Sequence, residues 1–244
     1  MNEGETKGLQ LLNLRDEVGV RVWADLHLEE GSPQEVEAFV EDLRAHVRDA
    51  GALVIAGDLF NAWTGRRQWK RPVFRPLAEA LRKLRAMGTR VILLRGNRDV
   101  LLNAADGLAV GAEVADGVTF SSAGRGILLT HGDEYCLNDR SYQRLRKFLR
   151  CSFVRGFLRC MPDFFKRGLA GTLRRTSQAA VARKPLDAMA LVESSVSAAL
   201  GRCGADQALI GHLHIAEKRD LEGGKQLEIL PAWEPGAPPW KTLD

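Results

Sequence analysis

The sequence predicts an α/β protein with a largely parallel core, into which a helical segment is inserted. Up to about residue 138, short apolar segments alternate with amphipathic helical patterns, and such elements pack as α/β layers. Over residues 139–203 the strand patterns stop, and long basic, phenylalanine-containing helical patterns replace them. We therefore predict a core of residues 18–138 and 204–244, preceded by an N-terminal extension over residues 1–17.

The first half of the core shows its elements in order. Residues 18–24, VGVRVWA, predict a buried strand. Ser32, Pro33 and Glu35 have the pattern of a helix N-terminus with a capping box, and the apolar residues that follow at helical spacing predict an amphipathic helix. The second strand, ALVIAGD, is followed by a helix pattern that ends at Gly88, a residue suited to a C-cap.

Three further strand patterns complete the core. RVILL precedes Gly96, GILLT precedes His131 and QALI precedes Gly211. The segment EKRDLEGGKQLEIL then alternates around two glycines, which predicts an antiparallel hairpin.

Length and composition limit the classes of protein that this chain fits. With 244 residues and 45% hydrophobic residues it fits a globular protein, and no apolar run reaches the roughly 18–20 residues of a membrane span. The mixed-charge N-terminus lacks the apolar core of a signal peptide, so we expect a cytoplasmic protein. The four cysteines match no zinc-binding spacing, and we expect free thiols.

The charge is unevenly distributed. The formal net charge is +4, yet the segment from Arg140 to Lys184 contains thirteen Lys or Arg residues and one acid, Asp163. A basic segment of this kind favours a phosphate-rich partner, such as an anionic membrane surface, a charged substrate or nucleic acid. The chain shows no pattern of a DNA- or RNA-binding module, which makes nucleic acid the weakest of the three.

Polar residues follow five of the predicted strands at the point where each strand ends. The five motifs are Asp25-x-His27, Gly57-Asp58, Gly96-Asn97, His131-Gly132 and Gly211-His212-x-His214. This mixed set of nitrogen and oxygen donors suits Mn²⁺, Fe²⁺ or Zn²⁺ better than Ca²⁺. Seven donors exceed the needs of one ion, so Asp58 is predicted to bridge two, an arrangement that hydrolyses phosphoesters.

Each motif taken alone is weak evidence. Gly57-Asp58 and Gly96-Asn97 are also common turn sequences. The strength lies in the set, because four of the five histidines stand at strand ends, and only His46 is predicted to be a solvated helix residue.

As a set, these motifs resemble the pattern of the calcineurin-like metallophosphoesterases, which is D-x-H, G-D, G-N-H-[DE], H and G-H-x-H. One position differs, because Arg98 replaces the histidine that usually follows G-N. G-N-R-D, together with ADLHLEE, GDLFNAW and HGDEYCLNDRSYQRLRKF, is similar to the UDP-2,3-diacylglucosamine hydrolases of lipid A biosynthesis. The resemblance implies a four-layer α/β/β/α sandwich with a helical cap, which corresponds to the insertion over residues 139–203.

The resemblance also implies a ligand set for two Mn²⁺ ions, with Fe²⁺ or Zn²⁺ as alternatives. One ion is expected on Asp25, His27, Asp58 and His214. The other is expected on Asp58, Asn97, His131 and His212. Asn97, Arg98 and His131 are expected to act in catalysis.

Substrate contacts follow from the same resemblance. The matching positions are Asn97, Arg98, Asp139, Tyr142, Ser177 and Lys184. Two positions depart from the family pattern: Val181 replaces a polar cap residue, and Asn61 stands where relatives commonly have an acid.

An apolar stripe in the insertion allows two interpretations. Leu149, Phe153, Phe157 and Met161 repeat at a spacing of four residues, with Arg155 and Arg159 alongside. The stripe either packs on the core and leaves a solvated basic face, or it lines an acyl-chain groove or contacts the bilayer while the arginines face phosphates.

The resemblance implies hydrolysis of UDP-2,3-diacylglucosamine to lipid X (2,3-diacylglucosamine 1-phosphate) and UMP, by a hydroxide that bridges the two ions. Arg98, planar and permanently charged, is expected to hold the second phosphate with two hydrogen bonds. We expect a monomer bound peripherally to the cytoplasmic face of the inner membrane. The alternatives are a metallophosphoesterase acting on a soluble dinucleotide polyphosphate or phosphomonoester, and a non-catalytic binding scaffold.

Overall fold

The computed structural model describes residues 9–14, 19–161, 165, 168 and 191–242. In this part of the chain, two β-sheets pack face to face and helices cover both outer faces, so the predicted four-layer α/β/β/α sandwich is confirmed. The strands are β1 (Leu11–Asn13), β2 (Val20–Trp23), β3 (Ala52–Ile55), β4 (Arg90–Leu94), β5 (Ala112–Ala115), β6 (Gly117–Ser122), β7 (Arg125–Thr130), β8 (Gln207–Ile210), β9 (Glu217–Asp220), β10 (Gln226–Ile229) and β11 (Trp240–Lys241). The α-helices are α1 (Pro33–His46), α2 (Arg75–Ala86), α3 (Ala104–Leu108), α4 (Arg140–Arg150), α5 (Ser152–Cys160) and α6 (Glu193–Cys203).

The first sheet has the strand order β11-β2-β3-β4-β5. β2 to β5 run parallel, and β11 joins them antiparallel. Its outer face packs against α1 and α2, through residues such as Phe39 and Leu77 set against Ile55 and Leu93. The helical spacing of these apolar side chains thus gives α1 and α2 one buried face each.

The second sheet has the strand order β1-β6-β7-β8-β10-β9. β7, β8 and β10 run parallel, and β9 and β10 form the predicted antiparallel hairpin. Its outer face packs against α6, where Val196 and Leu200 meet Ile210. The inner faces of the two sheets share an apolar layer that includes Ile92 and Leu129.

Two elements lie outside the predicted core but pack with it, and the predicted domain boundaries stay a prediction. β1 falls within the extension over residues 1–17, yet it pairs in parallel with β6. α6 falls within the insertion over 139–203, yet it packs on the second sheet. Three-residue β1 is too short to show an alternating pattern, which explains why the sequence did not reveal it.

Two local predictions were wrong. Ser32 is the N-cap of α1, but its side chain makes no capping hydrogen bond, so the capping box is absent. The Ser32 carbonyl instead accepts from the backbone N–H of Glu35 at 3.1 Å, a tight turn that begins at Pro33. The apolar stripe is also interrupted, because Cys151 has extended backbone angles (φ −60°, ψ 130°) and separates α4 from α5.

The break at Cys151 places Leu149 on α4, and Phe153 and Phe157 on α5. The two phenylalanines are 83% and 64% exposed. The side chain of Arg159 lies outside what the structure describes. Among the described helices, none has the length and hydropathy of a membrane span, and the four cysteines are free as expected.

Candidate metal centre

The five predicted motifs meet at one end of the sandwich. β2, β3 and β4 are parallel neighbours in the first sheet, and β7 and β8 are parallel neighbours in the second. Because parallel strands end at the same edge, their carboxyl ends bring the following residues together. The first sheet contributes Asp25, His27, Asp58 and Asn97, and the second contributes His131, His212 and His214.

The backbone at these strand ends is unusual. Six non-glycine residues in the described part of the chain have positive φ, and five of them are predicted metal ligands. The five are Asp25 (53°), His27 (52°), Asp58 (50°), His212 (68°) and His214 (60°). Left-handed backbone costs about 1–3 kcal/mol at such residues and concentrates at functional sites. The abrupt turn after each strand directs both side chains of a D-x-H or H-x-H pair into one site.

Glycines in the motifs make room for neighbouring ligands. A Cβ atom on Gly96 would lie 2.0 Å from Oδ1 of Asp58, and one on Gly211 would lie 2.5 Å from Oδ2 of Asp25. No side chain fits at either distance. The glycine of each motif therefore has a steric role toward a ligand from another strand.

Two overlapping groups of side chains could each hold a metal ion. In the first, His214 Nε2 lies 3.4 Å from Asp25 Oδ1 and 3.1 Å from His27 Nε2. In the second, His131 lies 3.9 Å from Asp25 and 3.8 Å from Asp58. Asp58 also lies 3.7 Å from Nδ1 of His27, which places it between the two groups.

The predicted ligands Asn97 and His212 lie beside the second group. Asn97 Oδ1 is 2.9 Å from Nε2 of His131, and the rings of His131 and His212 are 5.0 Å apart. The backbone N–H of His212 also donates to Asp25 Oδ2 at 2.7 Å. The structure thus brings all seven predicted ligands together.

The orientation of His131 is fixed by a backbone group. Its Nδ1 is 3.1 Å from the carbonyl oxygen of Ala56. A carbonyl can only accept, so Nδ1 carries the hydrogen and donates it. Nε2 is then left facing Asn97 and Asp58, the arrangement that metal-bound histidines use to fix their tautomer.

Burial and mutual charge shift the pKa values of the centre. Burial raises the pKa of Asp58 to about 7. Burial would lower the pKa of His131, but the charges of Asp58 and Asp25 raise it to about 9. Burial and the nearby charge of Arg98 lower the pKa of His27 to about 3. Burial and the nearby charge of His131 lower the pKa of His212 to about 4. His27 and His212 are therefore neutral at neutral pH, the form that binds a metal ion, whereas His131 would release a proton on binding one.

The centre fits divalent cations on its own chemistry. Asp25 Oδ1 and His27 Nδ1 are buried and make no hydrogen bond to any described residue. Buried polar atoms normally have partners, and two such atoms facing the same site are placed to bind a cation. Carboxylate, amide and imidazole donors together suit Mn²⁺, Fe²⁺ or Zn²⁺.

Arg98 lies at the edge of this centre. Its backbone N–H donates to Asp58 Oδ1 at 2.9 Å, and its Nε lies 3.5 Å from Asp58 Oδ2. Its Nη1 donates to Oδ1 of Asn61, whose Nδ2 in turn donates to Glu29. The side chain remains 30% exposed, so the guanidinium is available to a ligand.

Asp99, which is not among the predicted site residues, organises the loops around the centre. Its buried carboxylate accepts from the backbone N–H of Gly96 at 2.7 Å and of Leu59 at 2.9 Å. It thereby ties the loop after β4 to the loop after β3. The acid position of G-N-R-D was the available signal for this role.

Of the predicted substrate-contacting residues outside the metal centre, the structure describes Asp139 and Tyr142. Asp139 is the N-cap of α4 and accepts from the backbone N–H of Tyr142 at 3.0 Å. The Tyr142 hydroxyl donates to Asp133 at 2.6 Å, and its ring stacks on His212 at 6.3 Å. Ser177 and Lys184, like Val181, lie outside the described residues. Contact of these positions with substrate stays a prediction.

A buried ionic network attaches α4 to the core. Arg146 donates to Asp133 at 2.7 Å, and Arg150 donates to Asp116 at 2.9 Å. Asp116 also accepts from Arg95 at 2.8 Å. Burial would raise the pKa of Asp133, but Arg146 and Arg150 hold it well below its usual range. The first helix of the insertion is thereby held beside the candidate metal centre.

Comparison with known proteins places the chain in a family. The family model for calcineurin-like phosphoesterases matches residues 20–216. UDP-2,3-diacylglucosamine hydrolase from Pseudomonas fluorescens Pf-5 is 35% identical over 215 residues, covering 86% of each chain. The protein of the same name from Cellvibrio japonicus Ueda107 is 35% identical over 199 residues, covering 81% of this chain and 82% of that protein.

Among solved structures, a dimetal phosphatase from Danio rerio is 12% identical, covers 88% of this chain and 87% of its own, and has a TM-score of 0.42. The motifs predicted a phosphoesterase with two divalent metal ions, and the family match agrees. The chain belongs to the calcineurin-like phosphoesterases and, within them, to the UDP-2,3-diacylglucosamine hydrolase family.

Proposed function

We propose that this protein hydrolyses the pyrophosphate bond of UDP-2,3-diacylglucosamine, which yields UMP and 2,3-diacylglucosamine 1-phosphate (lipid X). The observation that supports this substrate best is the position of Arg98, a permanently charged group beside the buried Asp58 carboxylate. A diphosphate offers one phosphoryl group to the metal centre and a second to the arginine. The names of the relatives agree with this assignment.

We assign the two ions as the family pattern implies. The first is held by Asp25, His27, Asp58 and His214, and the second by Asp58, Asn97, His131 and His212. When bound, two divalent ions lower the pKa of a shared water and offset the charge on phosphoryl oxygens. We propose Mn²⁺ as the native metal, with Fe²⁺ and Zn²⁺ as alternatives for the same donors.

The protein's own groups have distinct roles in this proposal. Arg98 binds the second phosphate, because its planar guanidinium can donate two parallel hydrogen bonds. A guanidinium is permanently charged and does not act as a general acid, so Arg98 stabilises the leaving sugar phosphate by its charge and hydrogen bonds and not by proton transfer. Asn97 and His131, 2.9 Å apart, are oriented together at the same edge of the centre.

The proposed function is tested by the release of UMP from UDP-2,3-diacylglucosamine in detergent micelles with Mn²⁺. UDP-N-acetylglucosamine and p-nitrophenyl phosphate serve as soluble comparison substrates. We expect a clear preference for the lipid substrate and no activity after chelation. A preference for the soluble compounds that does not depend on micelles would favour the alternative, a phosphoesterase for soluble nucleotides or monoesters.

Replacement of Arg98 by alanine is expected to lower kcat/KM for the diphosphate substrate by about 10–100-fold, as the loss of a charged hydrogen bond worth about 1.5–3 kcal/mol predicts. Two bound ions should remain, since the Arg98 side chain is not one of the assigned ligands. Arg98→Lys keeps the positive charge but lacks the two parallel N–H donors of the guanidinium, and should therefore recover only part of the rate. Arg82→Ala, an exposed arginine on α2, is the control, and unchanged turnover in Arg98→Ala would refute the assigned role.

We also propose that the protein binds the cytoplasmic face of the inner membrane through the insertion. Phe153 and Phe157 stand one turn apart on α5 and are strongly exposed, and Phe148 on α4 is 59% exposed. Exposed aromatic residues in a basic segment are typical of helices that lie in a membrane interface. An anionic surface attracts the basic residues of the same segment.

The double variant Phe153→Ser/Phe157→Ser is expected to bind phosphatidylglycerol-containing vesicles at least 10-fold more weakly. The reason is that each phenylalanine contributes about 1.5–3 kcal/mol when fully buried. Vesicle co-sedimentation measures the change. Met87→Ser/Leu108→Ser is the matched control, because both residues are exposed and apolar but lie outside α4 and α5. Equal binding by the two double variants would contradict a membrane contact through α5.

A further inference from the structure

We propose that Asn61 is a positioning residue for Arg98, and that Glu29 holds Asn61 in the orientation that this role requires. The inference rests on the proposed function, because it takes a phosphate of the diphosphate substrate as the group that Arg98 binds. It concerns three side chains that follow three neighbouring strands, β2, β3 and β4.

The three side chains form one chain of hydrogen bonds. Nδ2 of Asn61 donates to a carboxylate oxygen of Glu29, and Oδ1 of Asn61 accepts from Nη1 of Arg98. An ionised carboxylate can only accept and a guanidinium can only donate. Only one orientation of the Asn61 amide satisfies both neighbours, so Glu29 determines which end of the amide faces Arg98.

The backbone at Asn61 is held independently of its side chain. Its N–H donates to the carbonyl oxygen of Leu28 at 3.1 Å, and Leu28 pairs with Phe60 as an isolated bridge. The loops after β2 and β3 are therefore joined by main-chain contacts. Removal of the Asn61 side chain should leave these loops in place and affect only the hydrogen-bond chain.

A neutral acceptor at this position has a specific electrostatic effect. The amide fixes the plane of the guanidinium but adds no negative charge to it. Arg98 already has a carboxylate nearby, since its Nε lies 3.5 Å from Asp58. A second carboxylate at position 61 would compete with a phosphate for the same positive charge. Within the described residues, Nη2 of Arg98 makes no hydrogen bond and can face a phosphate.

A double-mutant cycle tests the inference. The wild type, Asn61→Ala, Arg98→Ala and the double variant are compared for Mn²⁺-dependent hydrolysis of UDP-2,3-diacylglucosamine and of bis(p-nitrophenyl) phosphate, which has no second phosphate. We expect Asn61→Ala to lower kcat/KM for the diphosphate about 10-fold, and to have no further effect when Arg98 is already alanine. In Asn61→Ala, the hydrolysis of bis(p-nitrophenyl) phosphate should change less than about twofold, because this substrate has no second phosphate for charge-assisted contacts.

Three further variants extend the cycle. Glu29→Gln should lower the diphosphate activity, whereas Glu30→Gln, the same change at the next residue, should not, because Glu30 pairs with Arg71 instead. The exchange Glu29→Gln/Asn61→Asp keeps both hydrogen bonds but moves the negative charge onto Arg98. It should retain kcat and raise KM severalfold, and wild-type KM would contradict the role given to the neutral amide. Thermal unfolding and metal content should match the wild type in all these variants.

Failure of the inference and failure of the proposed function give different results. If the losses from Asn61→Ala and Arg98→Ala add fully in an active enzyme, or if both substrates lose activity equally, the positioning role is wrong and the proposed function stands. If the wild type hydrolyses bis(p-nitrophenyl) phosphate but not the diphosphate, the proposed function is wrong and the inference falls with it.

Discussion

Replacement of Asp58 by asparagine is expected to lower kcat/KM for the diphosphate substrate by about 10³-fold, equivalent to about 4 kcal/mol of transition-state stabilisation lost with the metal centre. The family pattern assigns Asp58 to both ions, and its carboxylate lies 3.7 Å from His27 and 3.8 Å from His131. A neutral amide cannot compensate the charge of two divalent cations. Metal analysis should therefore show fewer than two ions per chain.

The Asp58→Asn substitution is chosen so that the fold survives. Asparagine can still accept the hydrogen bond from the backbone N–H of Arg98, and it tolerates the left-handed conformation of this position. Asp49→Asn is the matched control, because Asp49 is an exposed acid whose charge pairs only with Arg21 among the described residues. Full activity with two bound ions in Asp58→Asn would show that the bridge is assigned to the wrong residue.

Gly96→Ala is the second substitution for which we expect a large loss, about 10²-fold in kcat/KM. A Cβ at position 96 would lie 2.0 Å from Oδ1 of Asp58 and 2.5 Å from its backbone nitrogen. The carboxylate must therefore move, and displacement of a catalytic group by about 1 Å costs roughly that factor. Steady-state kinetics and metal content measure the effect, and both should change together.

The matched control for Gly96→Ala is Gly201→Ala on α6. There the nearest atom to a new Cβ is the flexible Lys225 Nζ at 3.4 Å. Because glycine is unfavourable within a helix, this control should raise the free energy of unfolding by about 0.5–1 kcal/mol and leave activity unchanged. Similar activities for the two variants would mean that the loop at Gly96 can adjust and that the close approach has no functional importance.

The metal centre could be predicted from sequence because its signal is local. Each ligand follows a short apolar strand, and parallel strands must end at a common edge, so the motifs determine where the ligands meet. The same reasoning gave the strands and the two helices of the first sheet. These elements are encoded by patterns of a few consecutive residues, which can be interpreted without knowledge of the rest of the fold.

Features that depend on distant contacts could not be predicted in this way. β1 becomes a strand only because β6 lies beside it. Cys151 interrupts a stripe whose spacing alone predicts a continuous helix. Two partners of Asp133, Tyr142 and Arg146, lie nine and thirteen residues later on α4, and nothing in HGDEY identifies them. The sequence shows Asn61 where relatives commonly have an acid, but its place between Glu29 and Arg98 depends on how the fold brings three loops together.

Because five candidate ligands have left-handed backbone, the stability of the metal-free protein and its activity place opposite demands on these positions. Glycine adopts positive φ without steric penalty, so exchanging Asp25, His27, Asp58, His212 or His214 for glycine would relieve roughly 1–3 kcal/mol of conformational energy in the metal-free chain. Every such exchange would also remove a donor for the ions. Selection for thermal resistance of the metal-free protein would therefore favour loss of the catalyst, and durable active variants must be sought away from these strand ends.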